Sequence, residues 1–265
     1  HPTAVLHPSL LLPEDLEVGP YAVLDQGVEL SAGVRIGPFS HIYPDVILEA
    51  GVRLEDGVVL GNAPQDLKYR GEKTGVRIGA GTHLREYVTV NRGTAASGHT
   101  LIGANCLIMA YVHVAHDCLI EDAAIVANGV QMGGHVRIGK GAVVSGMTGI
   151  HQYVSIGTGA FIGGGLRVDK DVLPFSKAMG EPLRYAGLNE LGLMRQGLPG
   201  GAGAELKIVY RELFKEGQAA GLAKAGLCPI PELARALEDF FGNRKRGLLM
   251  RPPSAREAAV KRCGG

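Results

Sequence analysis

The chain has 265 residues, with 27 Lys and Arg against 26 Asp and Glu and a formal net charge of +1. So even a balance gives no electrostatic footprint for nucleic acid, and no stretch of about 18 apolar residues is present to span a membrane as a helix. Its 40 glycines, set against 8 Tyr, 6 Phe and no Trp, speak against the aromatic-rich core of a sandwich or doubly wound domain and for many repeated tight turns.

From the N-terminus the dominant pattern has a period of six. Leu6, Leu12, Val18, Leu24, Leu30, Ile36, Ile42, Leu48, Leu54 and Leu60 are all aliphatic. Four residues past most of these rungs stands a second small or aliphatic residue, such as Ala22, Val28, Val34 or Ser40, and glycine often follows the rung directly, as in IGPFSH. A helix needs a period of 3.6 and an ordinary strand a period of 2. A period of six with turn residues in each unit means a short strand, a corner and another short strand. Three units close a triangular coil of 18 residues, and coils stack at strand spacing, about 4.8 Å. This is a parallel β-helix, a solenoid whose stacked rungs fill its interior.

The ladder breaks over residues 61–77, resumes at Ile78, Leu84 and Val90, and breaks again over 91–101. It then runs from Ile102 to Val168 without interruption. Both gaps return in phase, so they read as loops extruded from a continuing prism, where function concentrates. Cys106, Cys118, Cys228 and Cys263 lie far apart with no CxxC pair. They are read as reduced thiols of a cytoplasmic protein.

Past DVLPFSKAMGEP the period changes. From about residue 186, helical spacing is expected, with Leu206, Val209, Tyr210, Leu213 and Phe214 on one face and Gly217 as a stop. A last helix opens at Pro231, carries Leu233, Leu237, Phe240 and Phe241, and closes at Gly242. The expected division is a β-helix over 1–180 and a small α-helical domain over 181–265, with the tail RPPSAREAAVKRCGG frayed.

The coil length locates the polar residues of VHVAHDCLI (112–120). Residues 18 apart share a corner, so His116, Gly134 and Gln152 form one column, with Asp117, His135 and Tyr153 beside it. His113 and His151 flank it, which gathers four of the 9 histidines on one edge within roughly 15 Å. A solvated edge, a metal site and general-base chemistry all use such residues. For the last, His116 with a carboxylate neighbour suits proton abstraction from a hydroxyl near neutral pH. The bare backbone N–H of Gly134, one coil above, suits an oxyanion. No Ser or Cys joins the column, so a covalent acyl-enzyme is not indicated.

The hexads resemble those of the hexapeptide-repeat acyltransferases, whose coil is left-handed. HPTAVL, QDLKYRGE, NRGT, HVAHDC, GGHV, GMTGIHQY and IGGG, followed by a helical domain, look like the acyl-carrier-protein–UDP-N-acetylglucosamine O-acyltransferases of lipid A biosynthesis. The resemblance covers nearly the whole chain. It implies a left-handed parallel β-helix with a small C-terminal helical domain, assembled as a cytoplasmic homotrimer with its clefts between neighbouring prisms. It implies acyl carrier protein and UDP-N-acetylglucosamine as partners, and no cofactor or metal. His116 would be the base on the sugar 3-hydroxyl, Asp117 its support and Gly134 the oxyanion donor. His113, His135, His151 and Gln152 would line the cleft. Gln65, Asp66 and Lys68 would contact sugar or phosphates, and Asn189 and Arg195 would reach the nucleotide. Gly164 would stand at the acyl-length ruler and leave room for a long 3-hydroxyacyl chain.

Three positions depart from the family: Asn91 stands where His is common, Leu191 where an acidic residue is expected, and Gln196 where a second arginine is expected. The sibling N-acyltransferases lack the QDLKY motif and carry an additional N-terminal domain, not seen here. Transfer to a 3-amino UDP-sugar is the near alternative. A metal-dependent enzyme like the γ-class carbonic anhydrases, on the same fold, is the distant one, although their ligand spacing differs from HxxHD with a His 19 residues on. A sugar-nucleotide-binding solenoid without turnover is a third. The basic run Arg244, Lys245 and Arg246 reads equally as a solvated surface or as a landing strip for an acidic carrier protein.

Overall fold

Each aliphatic hexad becomes a two-residue strand followed by a corner, as in Val23–Leu24, Glu29–Leu30 and Arg35–Ile36. Successive strands join three different sheets in rotation, and each pairs in parallel with the strand one coil away, Val23 with His41 and Leu24 with Ile42. The result is a left-handed parallel β-helix of three sheets, with nine, ten and seven strands. The structure is a computed structural model that describes residues 1–250, apart from the side chains of residues 218–220 and 222. Cys263 and the tail at 251–265 lie outside the described residues.

The rungs point inward. Leu24, Ile42, Leu60, Ile78, Leu84, Ile108, Ile120, Ile138 and Ile156 are fully buried in one continuous core, and each such side chain contributes about 1.5–3 kcal/mol through burial. The exception is Leu12, whose spacing predicts a rung but which stands outside any strand and is half exposed. The seven-stranded sheet begins only at Glu29–Leu30, so Leu12 has no paired strand to hold it.

Both extruded loops are shorter than the gaps in the ladder. Strands Val59–Asn62 and Gly75–Ile78 trim the first to 63–74, and strands Thr89–Asn91 and His99–Ile102 trim the second to 92–98. Pairing across the first joins residues 30 apart, Val46 with Val76. Pairing across the second joins residues 24 apart, Gly75 with His99. The surplus over an 18-residue coil is thus two hexads and then one, which is why the ladder keeps its phase. Both loops leave the prism between the nine-stranded and seven-stranded sheets, along a single edge.

Strands Ser176–Met179 and Arg184–Leu188 close the ten-stranded sheet, the second antiparallel to the first. Residues 184–188, expected to lead into helix, are therefore strand, because the open end of the sheet offers unpaired backbone groups. Four helices follow: α1 Glu190–Arg195, α2 Ala202–Glu216, α3 Gln218–Ala225 and α4 Pro231–Asn243. Gly217, at φ 87°, caps α2. The last helix runs through Gly242 to Asn243, whose side-chain amide donates back to the Asp239 carbonyl. The helices form a second apolar core with Leu173, Phe175 and Leu188. The Tyr210 hydroxyl donates to the Pro174 carbonyl at 2.5 Å and ties that core to the top of the prism.

Candidate active site

The edge from which both loops emerge also carries the histidines. Strand His113–Val114 runs into the turn 115–118, and Asp117 takes the left-handed conformation there, φ 59°. His135 and Tyr153 repeat it one and two coils on, at φ 60° and 66°. The same conformation recurs at Tyr21, Phe39, Tyr87 and Tyr111 on another edge, so the corner geometry imposes it. Backbone bonds from His135 N to the His116 carbonyl and from Tyr153 N to the Gly134 carbonyl, each 3.0 Å, hold the column in register. The rings stack as the spacing predicts: His116 meets His135 edge-on at 5.1 Å, and His135 lies flat on Tyr153 at 4.4 Å.

Asp117 is the anchor, its side chain wholly enclosed. One carboxylate oxygen accepts from Thr94 N at 2.8 Å and from the Ser97 hydroxyl. The other accepts from the Thr94 hydroxyl at 2.7 Å and from His116 Nδ1 at 2.8 Å. Burial pushes this carboxyl up, but the bonds from Ser97, His116 and Thr94 override it and bring it down to about 2. A permanent carboxylate on Nδ1 fixes the tautomer: Nδ1 keeps its hydrogen and Nε2 presents a lone pair.

Gly134 closes over that lone pair. A Cβ at 134 would lie 2.5 Å from Cε1 and 2.6 Å from Nε2 of His116, so only glycine lets the backbone approach the imidazole. Among the described residues the Gly134 N–H has no hydrogen-bond partner. A free amide beside a free imidazole nitrogen can hold a developing oxyanion next to the base that generates it.

The remaining expected residues divide by edge. His113 is part-buried, with Nδ1 2.8 Å from the Thr89 hydroxyl, and burial lowers its imidazole. Burial also lowers His135, with Asp117 and Asp66 pulling it up and His116 and Lys245 pushing it down. Asp66 in the first loop is therefore close enough to act on the column, while its carboxylate accepts from Lys68 N at 2.9 Å. Gln65 and Lys68 are exposed on the same loop. His151 and Gln152 are exposed one coil above, with His151 Nδ1 donating to the Gln152 carbonyl at 3.2 Å. Gly164 is not on this edge. It follows Phe161–Ile162 at the corner between the ten-stranded and nine-stranded sheets, where a Cβ would lie 3.2 Å from the Gly146 carbonyl. Asn189 and Arg195 occupy the third edge, where Asn189 Nδ2 donates to the Gly159 carbonyl at 2.8 Å and Gln196 covers Gly141.

Sequence reasoning missed Thr94, Ser97 and Thr100. Two of them donate to the Asp117 carboxylate, and the Thr100 hydroxyl accepts from Asp117 N at 2.9 Å. For Thr94 and Ser97 the signal was a hydroxyl-rich second loop whose landing point no periodicity supplied; Thr100 sits in the strand that follows it. His116, Asp117 and His135 place ligand atoms within 4.8 Å of one another, the arrangement a cation would need. The Asp117 oxygens, however, already take four donors, which suits a proton relay rather than a metal centre.

Comparisons with known proteins bear on the fold and the family. Residues 171–249 match the family model described as UDP N-acetylglucosamine O-acyltransferase, domain 2, and residues 99–134 match that of the bacterial transferase hexapeptide (six repeats). The chain is 47% identical over 255 residues to an acyl-[acyl-carrier-protein]–UDP-N-acetylglucosamine O-acyltransferase of Thiobacillus denitrificans, covering 94% of this chain and 98% of that one. It is 43% identical over 257 residues to the protein of the same description from Paraburkholderia phymatum, with the same coverage. Its fold superposes on the crystal structure of Francisella novicida UDP-N-acetylglucosamine acyltransferase with a TM-score of 0.81 at 29% identity, covering 96% of this chain and 95% of that one.

Proposed function

The chain belongs to the family of acyl-carrier-protein–UDP-N-acetylglucosamine O-acyltransferases, and on that premise we propose that it moves a 3-hydroxyacyl chain from acyl carrier protein to the 3-hydroxyl of UDP-N-acetylglucosamine by direct attack, opening lipid A synthesis. One observation carries the mechanism: Asp117 on Nδ1 of His116, with the Gly134 backbone against Nε2 of the same ring. His116 Nε2 takes the proton from the sugar hydroxyl as the oxygen attacks the thioester carbonyl. The Gly134 N–H holds the resulting oxyanion, and Asp117 stabilises the imidazolium. Collapse breaks the carbon–sulfur bond, and the departing thiolate takes the proton from His116. Ester and free carrier thiol result, with no cofactor.

His113, His135, His151 and Gln152 line the cleft, and Gln65, Asp66 and Lys68 hold the sugar and its phosphates. Asn189 and Arg195 reach the nucleotide, and Gly164 leaves room for a long acyl chain. These groups stand on three different edges of one prism. A homotrimer with its cleft between adjacent chains brings one chain's histidines to another chain's edge. Both substrates of such an enzyme are cytoplasmic, and so is the enzyme.

His116→Ala is expected to lower kcat by about 10²–10⁴-fold while circular dichroism and sedimentation stay as in the parent. Retained turnover would remove the base assignment. Assay with a 3-amino UDP-sugar beside the hydroxyl acceptor decides between ester and amide formation.

A further inference from the structure

The basic run at 244–246 is built into the rim of the histidine edge. Asp171, fully buried, accepts from Ser155 N and from Arg246 N at 2.8 Å each. Its backbone bonds to Gly247 and Leu249 on either side, at 2.9 and 2.8 Å, and Leu248 forms a parallel bridge with it. The segment after α4 is thereby pinned to the prism through an isolated parallel bridge. Tyr153 lies two residues before Ser155, and that attachment sets Lys245 Nζ 5.5 Å above its ring. Tyr153 stacks on His135, whose Nε2 is 3.7 Å from Asp117. Arg244 rests on Phe241 at 5.7 Å. The Nε atoms of Arg244 and Arg246 are buried without a hydrogen-bond partner. Among the described residues no carboxylate lies within ion-pair distance of any of the three side chains; the nearby Asp239 is paired with Arg137.

Three unneutralised cations on a rigid strap call for an anion with several oxygens. We propose that Lys245, flanked by Arg244 and Arg246, forms a phosphate-binding subsite at the rim of the histidine edge. The inference rests on the acyl-transfer reading, in which both substrates carry this chemistry: the acceptor as a nucleoside diphosphate, the donor as the phosphodiester of the carrier's pantetheine arm.

Steady-state kinetics of the full-length protein test it, varying each substrate in turn for the parent, Lys245→Met and Lys245→Arg. Methionine keeps the apolar stem on Tyr153 and removes the charge. Loss of one charge-assisted contact is expected to raise KM for one substrate by about tenfold with kcat little changed. Arginine is expected to restore most of it, and the difference is expected to shrink at about 0.5 M salt. A rise confined to UDP-N-acetylglucosamine assigns the nucleotide diphosphate. A rise confined to the acyl donor, absent with phosphate-free acyl-pantetheine, assigns the carrier arm. Unchanged KM for both substrates in Lys245→Met and in Arg244→Ala/Lys245→Met, or a fall in kcat alone, overturns the subsite. Absence of transfer by the parent protein would instead sink the functional reading. Lys215→Ala, an exposed cation at the end of α2, is the control.

Discussion

Asp117 sets the chemistry of the histidine edge because four donors keep it charged. Its carboxyl is depressed below the unfolded value near 4 to about 2. The stability it supplies is therefore full above about pH 4 and is lost as pH falls towards 2. Asp117→Asn is expected to remove that part of the acid-unfolding curve. It also offers His116 a mixed donor and acceptor in place of a permanent acceptor, and kcat is expected to fall by about 10²-fold or more. Urea unfolding at pH 3 and pH 7, with turnover at pH 7, measures both. At this scale the sequence was most legible where a residue's role follows from stacking: His116, Gly134, His135 and Tyr153 stand where an 18-residue coil puts them. Thr94 and Ser97 were illegible because an aperiodic loop carries no register.

The second loop is the element that converts a corner into a dyad. It leaves the prism after Asn91, and Thr94 and Ser97 turn back to grip Asp117 before the chain re-enters at His99. Thr94→Val keeps the backbone donor and shape but deletes the hydroxyl donor. With Ser97→Ala, it is expected to slow kcat by about 30–150-fold, at about 1–1.5 kcal/mol for each of the two lost bonds, and to raise the pH at which acid unfolding sets in as Asp117 becomes easier to protonate. An unchanged acid-unfolding curve would mean that the two hydroxyls do not hold the Asp117 charge. The extruded elements were legible as interruptions, and their whole-hexad surplus kept the phase of the ladder. Their length was overestimated because their ends pair as strands that the hexad pattern does not mark.

For the whole molecule, the three-edge distribution of His116, Gly164 and Asn189–Arg195 is the reason we propose that association completes the site. Mixing inactive His116→Ala with inactive Arg195→Ala chains, by denaturing and refolding together, is expected to restore activity at about a quarter of the sites if each site draws on two chains. No recovery at all would mean that every site is completed within one chain.

The sequence by itself determined the solenoid, its coil length and the column of imidazoles and glycine on one corner. All of these follow from a short period repeated in register, and a repeat constrains every residue that shares its phase. The tertiary structure decided what has no period: the grip of the second loop on Asp117, the buried Asp171 that straps Lys245 to the rim, the strand at 184–188, and the placing of the remaining groups on separate edges. Contacts between distant segments depend on where aperiodic chain lands, and that is settled by packing and by the need to satisfy buried polar groups.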